Sequence, residues 1–126
     1  MGLFNFLKSE STGQSKTFWN DLTTDISLDE IDEISKTKPV LLFKHSTRCS
    51  VSLMAKNGLD RSWDLSEEEI ATYYLDLLRY RPISNEIASR YNVMHESPQI
   101  LLIKNGKCVY NTSHSNISVR EIKRNL

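Results

Sequence analysis

The sequence predicts an α/β protein: a mixed central sheet flanked by helices in a three-layer sandwich. Three observations lead there. Short apolar runs suited to buried strands alternate with segments of helical spacing, an order that implies parallel pairing through crossovers. The last two runs, 99–104 and 107–112, are instead separated by Asn105-Gly106, the strongest hairpin signal in the chain. The sheet is therefore mixed. Finally, 126 residues at 39% hydrophobic and 25% charged fit one ordinary domain with a real core.

Residues 1–16 read as a flexible leader to a domain at 17–126, because Ser9 to Lys16 is polar and without periodicity. The apolar cluster Leu3-Phe4-Asn5-Phe6-Leu7 lacks the basic lead-in and length of a signal peptide. Phe6 occupies the position where a lipidation pattern starting at Gly2 needs Ser or Thr. No run approaches the roughly 18 apolar residues of a membrane span. Sixteen basic residues balance sixteen acidic ones, so neither nucleic acid nor an anionic membrane is an expected partner. Two cysteines cannot make the multi-bridge framework of a small secreted protein, and a reducing cytoplasm is the default location.

Thr17 to Leu22 is a short aromatic segment, an edge strand or turn, in which Trp19 fills core. Ser27, with Glu30 three residues on and Leu28, Ile31 and Ile34 at helical spacing, forms a capping box that opens a helix. That helix should end near Lys36-Thr37-Lys38-Pro39, with its lysines suiting the dipole. Val40 to Lys44 is a buried strand bounded by Pro39. After Cys49, a second helix should bury Val51, Met54, Ala55, Leu59 and Trp63 in one stripe; Asn57-Gly58 weakens its middle and leaves room for a kink or an early stop. Ser66 to Glu69 connects to a strand at Ile70 to Leu78. Arg81-Pro82 starts a third helix whose apolar face is Ile83, Ile87, Ala88 and Tyr91. After the hairpin, Asn116 or Ser118 caps a final helix through Leu126.

The chemistry concentrates where the Val40 strand passes through Ser46, Thr47 and Arg48 into the helix after Cys49. A cysteine at a helix start lies beside unpaired backbone N–H groups and the positive end of the dipole, both of which favour the thiolate. Arg48 adds a cation. Ser52 stands three residues on; its hydroxyl could hydrogen-bond the Cys49 sulfur but cannot close a disulfide. Cys49 should therefore perform single-thiol exchange and need a second thiol to regenerate it.

The order of elements, the cysteine at the strand-to-helix junction, the Ser97-Pro98 step before a strand and the Lys104-Asn105-Gly106-Lys107 hairpin together resemble the thioredoxin layout over residues 17–126. More narrowly, Thr47-Arg48-Cys49-Ser50-Val51-Ser52, Tyr74-Leu75-Asp76-Leu77 with Arg81-Pro82-Ile83-Ser84-Asn85, and His95-Glu96-Ser97-Pro98-Gln99 resemble the monothiol bacilliredoxin family. The family usually has Pro after the cysteine, where this chain has Ser50, and Trp after the Ser-His pair, where Ser115 follows Ser113-His114. The resemblance implies removal of bacillithiol from mixed disulfides on other proteins, with bacillithiol as co-substrate and no bound cofactor. It implies bacillithiolated client proteins and a low-molecular-weight thiol or a reductase as partners, and a monomer. It also implies a cis Pro98, with Thr47, Ser97 and Pro98 lining the groove that receives substrate.

The remaining candidates weigh less. Cys108, on the return strand of the hairpin, reads as a small buried hydrophobe. His45 could assist the thiolate or cap its strand. His114 reads as surface, and Asp76 as hydrogen-bonded at a strand end, the alternative being a buried carboxylate beneath the active helix that helps proton traffic. Two cysteines and three scattered histidines show no metal-ligand spacing. Against exchange stands a binding module that holds a partner in the Cys49/Pro98 groove without turnover. A monothiol iron–sulfur carrier would need a Cys-Gly-Phe-Ser-type loop, which Cys49-Ser50-Val51-Ser52 is not.

Overall fold

The computed structural model describes residues 18–126; the leader expected at 1–16 lies outside the described residues. The elements are β1 (Asn20–Asp21), α1 (Leu28–Ile34), β2 (Val40–His45), α2 (Ser50–Ser62), β3 (Ala71–Asp76), α3 (Arg81–Tyr91), β4 (Gln99–Lys104), β5 (Lys107–Ser113) and α4 (Val119–Arg124). A short 3₁₀ turn, His114–Asn116, precedes α4. The five-stranded sheet has the order β1-β3-β2-β4-β5. β1 and β2 run parallel to β3, while β2–β4 and β4–β5 are antiparallel. The predicted mixed sheet is what forms.

Alternation along the strands divides the core in two. Val40, Leu42, Leu101 and Ile103 face one side, where Leu28 and Ile31 of α1 and Ile87 and Tyr91 of α3 cover them. Leu41, Phe43, Ile100 and Leu102 face the other, against Leu59 of α2 and Val119 and Ile122 of α4. β2 and β4 are apolar on both faces because a central strand here is covered twice.

The local signals account for most boundaries. Ser27 and Glu30 form the reciprocal capping box of α1, with Ser27 Oγ accepting from the Glu30 N–H and Glu30 accepting from the Ser27 N–H. α1 ends at Ile34, earlier than expected, because Ser35 turns the chain and its hydroxyl donates to the Asp32 carbonyl. Lys36 and Lys38 therefore lie beyond the last turn. The Asn105-Gly106 hairpin adopts positive φ at both residues, 52° and 77°, the pairing that a two-residue turn of right-handed strands requires. Of the two candidate caps, Ser118 is the one used, its hydroxyl accepting from the Glu121 N–H.

One expectation about α2 is overturned. The helix runs through Asn57-Gly58 without a break, and of the expected stripe Leu59, Ala55 and Trp63 pack into the core while Val51 and Met54 do not. Val51 is 43% and Met54 72% exposed, whereas Ser52 and Leu59 are buried. Ser52, Lys56, Leu59 and Trp63 fall at i, i+4, i+7 and i+11, so two polar side chains take inward positions that hydropathy alone gives to Val51 and Met54.

Candidate functional site

β2 ends with Lys44 and His45, which continue the strand's alternation and point to opposite faces of the sheet. Both are buried. The chain then passes over Ser46, Thr47 and Arg48 to Cys49, the N-cap of α2, whose backbone is extended at φ −110° and ψ 122°. The Cys49 side chain makes no capping hydrogen bond, and the residue is half-buried. Thr47 and Arg48 are exposed. The sulfur thus lies at the open end of a thirteen-residue helix, where the first-turn N–H groups have no partner within the helix.

Ser52 sits one turn into α2 with no exposed surface. Its hydroxyl accepts from the Ser46 N–H at 3.0 Å and lies 2.7 Å from His45 Nδ1. Burial, together with the nearby Lys56 ammonium, lowers the His45 pKa, so the ring is held toward its neutral form and shares one hydrogen bond with the Ser52 hydroxyl through Nδ1. Ser52 therefore engages the end of β2, holding the Ser46–Cys49 loop against the helix it feeds. His45, left open between two roles by sequence, is the partner in that bond.

Farther along the same face, Lys56 Nζ lies 2.8 Å from Asp60 Oδ2 and 5.8 Å from the centre of the Tyr74 ring. Trp19 Nε1 donates to the other Asp60 oxygen at 2.8 Å, so Trp19 is both core filler and an anchor for α2. Asp76, at the end of β3, accepts from the Arg79 N–H at 3.4 Å.

The 94–98 loop faces this junction from β4. Gln99 shapes it: buried, its side chain donates to the Met94 carbonyl at 2.9 Å and accepts from the Glu96 N–H at 3.3 Å. The Ser97–Pro98 peptide is cis. Pro98 is buried and its carbonyl accepts from the His114 N–H at 2.9 Å, which ties the loop to the turn before α4. Ser113 Oγ donates to Glu96 Oε1, and His114 Nδ1 lies 3.8 Å from the same oxygen. Ser97 Oγ is buried and has no partner among the described residues. A largely apolar groove of about 330 Å³ opens beside the first turns of α2, lined by Val51, Met54, Ala55, His114, Ser115 and Ile117.

Cys108 is elsewhere. It packs against the α1/α3 side of the sheet and its thiol donates to the Tyr110 carbonyl at 3.4 Å. Burial raises its pKa. Cys49 and Cys108 are both free; Cys108 faces the α1/α3 side of the sheet, whereas α2, which Cys49 caps, packs on the other. Among the described residues no group of three or more His, Cys, Asp or Glu side chains is placed to hold a metal, and no helix is long and apolar enough to cross a membrane.

The monothiol bacilliredoxin BrxC family matches residues 20–122. The chain belongs to that family. Among solved structures, one described as a candidate oxidoreductase with a thioredoxin fold is 31% identical, with a TM-score of 0.70 over 85% of this chain and 92% of its own. Thioredoxin from Fasciola hepatica is 21% identical, with a TM-score of 0.63 over 85% of this chain and 99% of its own. The short form of spinach chloroplast thioredoxin f is 12% identical, with a TM-score of 0.62 over 87% and 94%; these last two share the fold. A bacilliredoxin on a thioredoxin fold is a thiol–disulfide exchange protein, and its partners are thiol-bearing.

Proposed function

We propose that this bacilliredoxin removes bacillithiol, or a similar low-molecular-weight thiol, from mixed disulfides on cytoplasmic proteins, acting as a monomer through Cys49. The observation that carries the proposal is the disposition of the two sulfurs. Cys49 caps α2 at the loop end of β2, while Cys108 packs against the opposite side of the sheet. The Cys49 thiolate attacks the low-molecular-weight sulfur of the mixed disulfide. That disulfide breaks, the client protein leaves as a thiolate, and the small thiol is now disulfide-bonded to Cys49. Ser52 cannot displace it, because an alcohol is not ionised near neutral pH and this one is already engaged by His45 and the Ser46 N–H.

A second thiol or a reductase must then attack, returning Cys49 as thiolate and leaving with the small thiol as a new disulfide. In this reading Arg48 supplies positive charge beside the thiolate. Thr47, Ser97 and Pro98 border the client chain, and the Val51/Met54/Ile117 groove receives an apolar client side chain. Ser52 acts by positioning the loop.

Intact-mass measurement of the reduced protein after incubation with oxidised bacillithiol tests the proposal. One adduct per chain is expected, on Cys49, absent from Cys49→Ser and released at a rate proportional to added thiol. If wild-type protein acquires no adduct at Cys49, or releases one independently of added thiol, the groove is a binding module without turnover.

A further inference from the structure

Lys44 has no exposed surface, and among the described residues its ammonium finds no carboxylate. Among the described residues its hydrogen-bond partner is His95 Nδ1, at 3.2 Å. Burial, and to a lesser degree the positive charge of Arg81, lowers its pKa to about 8, which still leaves it a cation at neutral pH. An ammonium only donates, so His95 accepts at Nδ1 and carries its proton on Nε2. Ser84 Oγ, buried on α3, lies 3.4 Å from the same Nδ1. Arg81 is the first residue of α3 and is exposed; it makes no ion pair among the described residues. Glu96, the acid nearest in sequence, is engaged by Ser113 and His114.

A buried cation normally comes with a counter-ion, since desolvating it alone is expensive. Here the neighbour is a histidine ring, and the other charge acting on the site is a second cation, Arg81. Their location is specific: Lys44 leads through His45 into the Cys49 loop, α3 begins just beyond the parallel end of β3, and Lys44 pairs in register with Gln99, next to Pro98. All three elements bring their groups to the end of the sheet where Cys49 lies. The loop from His95 to Pro98 also holds the unpartnered Ser97 hydroxyl.

We infer that Lys44, Arg81 and His95 form an anion subsite for a carboxylate of the small thiol that becomes attached to Cys49. Arg81 and the Nε2–H of His95 make the contacts, and Lys44 fixes the His95 tautomer and adds positive charge to the site. The subsite rests on the exchange reading above and adds to it the residues that set specificity for the small thiol's charge.

Two disulfides of similar size, dianionic dithiodiglycolate and neutral 2-hydroxyethyl disulfide, separate the two ideas. Each transfers half of itself to Cys49 and releases the other half as thiolate, followed by intact mass. Wild-type protein should react with the dianion faster by roughly tenfold, and Arg81→Gln should cut that ratio by about fivefold. Arg79→Gln removes the same charge from an exposed site outside the cluster and should change the ratio by less than about twofold. A wild-type ratio near one, or equal losses in the two variants, overturns the subsite. Absence of any Cys49 adduct from the neutral disulfide overturns the exchange reading instead. The subsite is then read separately in Cys49→Ser protein titrated with succinate. A shift of the His95 ring resonances that disappears in Arg81→Gln supports it, and no shift refutes it.

Discussion

Ser52 carries a hydroxyl where a two-cysteine enzyme would carry its second thiol, and its surroundings determine what the hydroxyl does. Sequence gave no reason to prefer His45 over the Cys49 sulfur as its partner, because strand alternation decides which residue lies under the helix. Removing the oxygen in Ser52→Ala leaves the Ser46 N–H and His45 Nδ1 without partners in a dry place. The expected loss is about 1–3 kcal/mol of stability, measured by urea unfolding. Lys44 is the other residue that reading by hydropathy passed over, a charge closing an apolar strand. Its pKa falls from 10.5 to about 8 on folding, so between those values the unfolded chain binds more protons and stability contributed at this site rises with pH. Below about pH 8 both states are charged and the burial penalty is felt in full. Lys44→Met should therefore be most favourable relative to wild type below pH 8. Its advantage should shrink steadily toward pH 10.5, as measured by paired unfolding curves; an advantage that grows with pH would refute the assignment.

At the scale of elements, the sequence was most readable where backbone chemistry speaks locally. The Ser27/Glu30 box, the Asn105-Gly106 turn and the Ser118 cap are each settled by a few neighbouring residues. On α2 periodicity places Ala55, Leu59 and Trp63 correctly but not Val51 and Met54, because two inward positions belong to Ser52 and Lys56, whose partners His45 and Asp60 can be known only once the sheet is assembled. The corrected phase is measurable. Leu59→Ala should cost about 2–5 kcal/mol as a core truncation, and Met54→Ala less than about 0.5 kcal/mol. The reverse ranking would restore the Val51/Met54 stripe. α1 and α3 show the same dependence on assembly: Arg90 reaches Asp32 at 2.7 Å and Asp29 at 2.9 Å, and the Tyr91 hydroxyl donates to Asp32 at 2.6 Å. No spacing in the chain announces that clamp.

At the scale of the whole molecule, the mixed sheet is legible from alternating elements and one hairpin, but the antiparallel pairing of β2 with β4 is not, since alternation alone implies a parallel crossover there. The cationic cluster was not legible either, since its members come from β2, α3 and the loop before β4. Two separately covered faces predict that Leu101→Ala and Leu102→Ala, neighbours in sequence, each lose about 2–5 kcal/mol by opening different cavities. Their double variant should lose close to the sum, measured by denaturant unfolding, because the truncated side chains share no packing partners. The same partition separates the two sulfurs, and its consequence is statistical. With Cys108 on one side of the sheet and the helix that Cys49 caps on the other, modification of one thiol carries no information about the other. In a partly oxidised sample, the fraction of doubly modified chains should equal the product of the two single-site occupancies, and the mass spectrum should follow that multiplication at every dose.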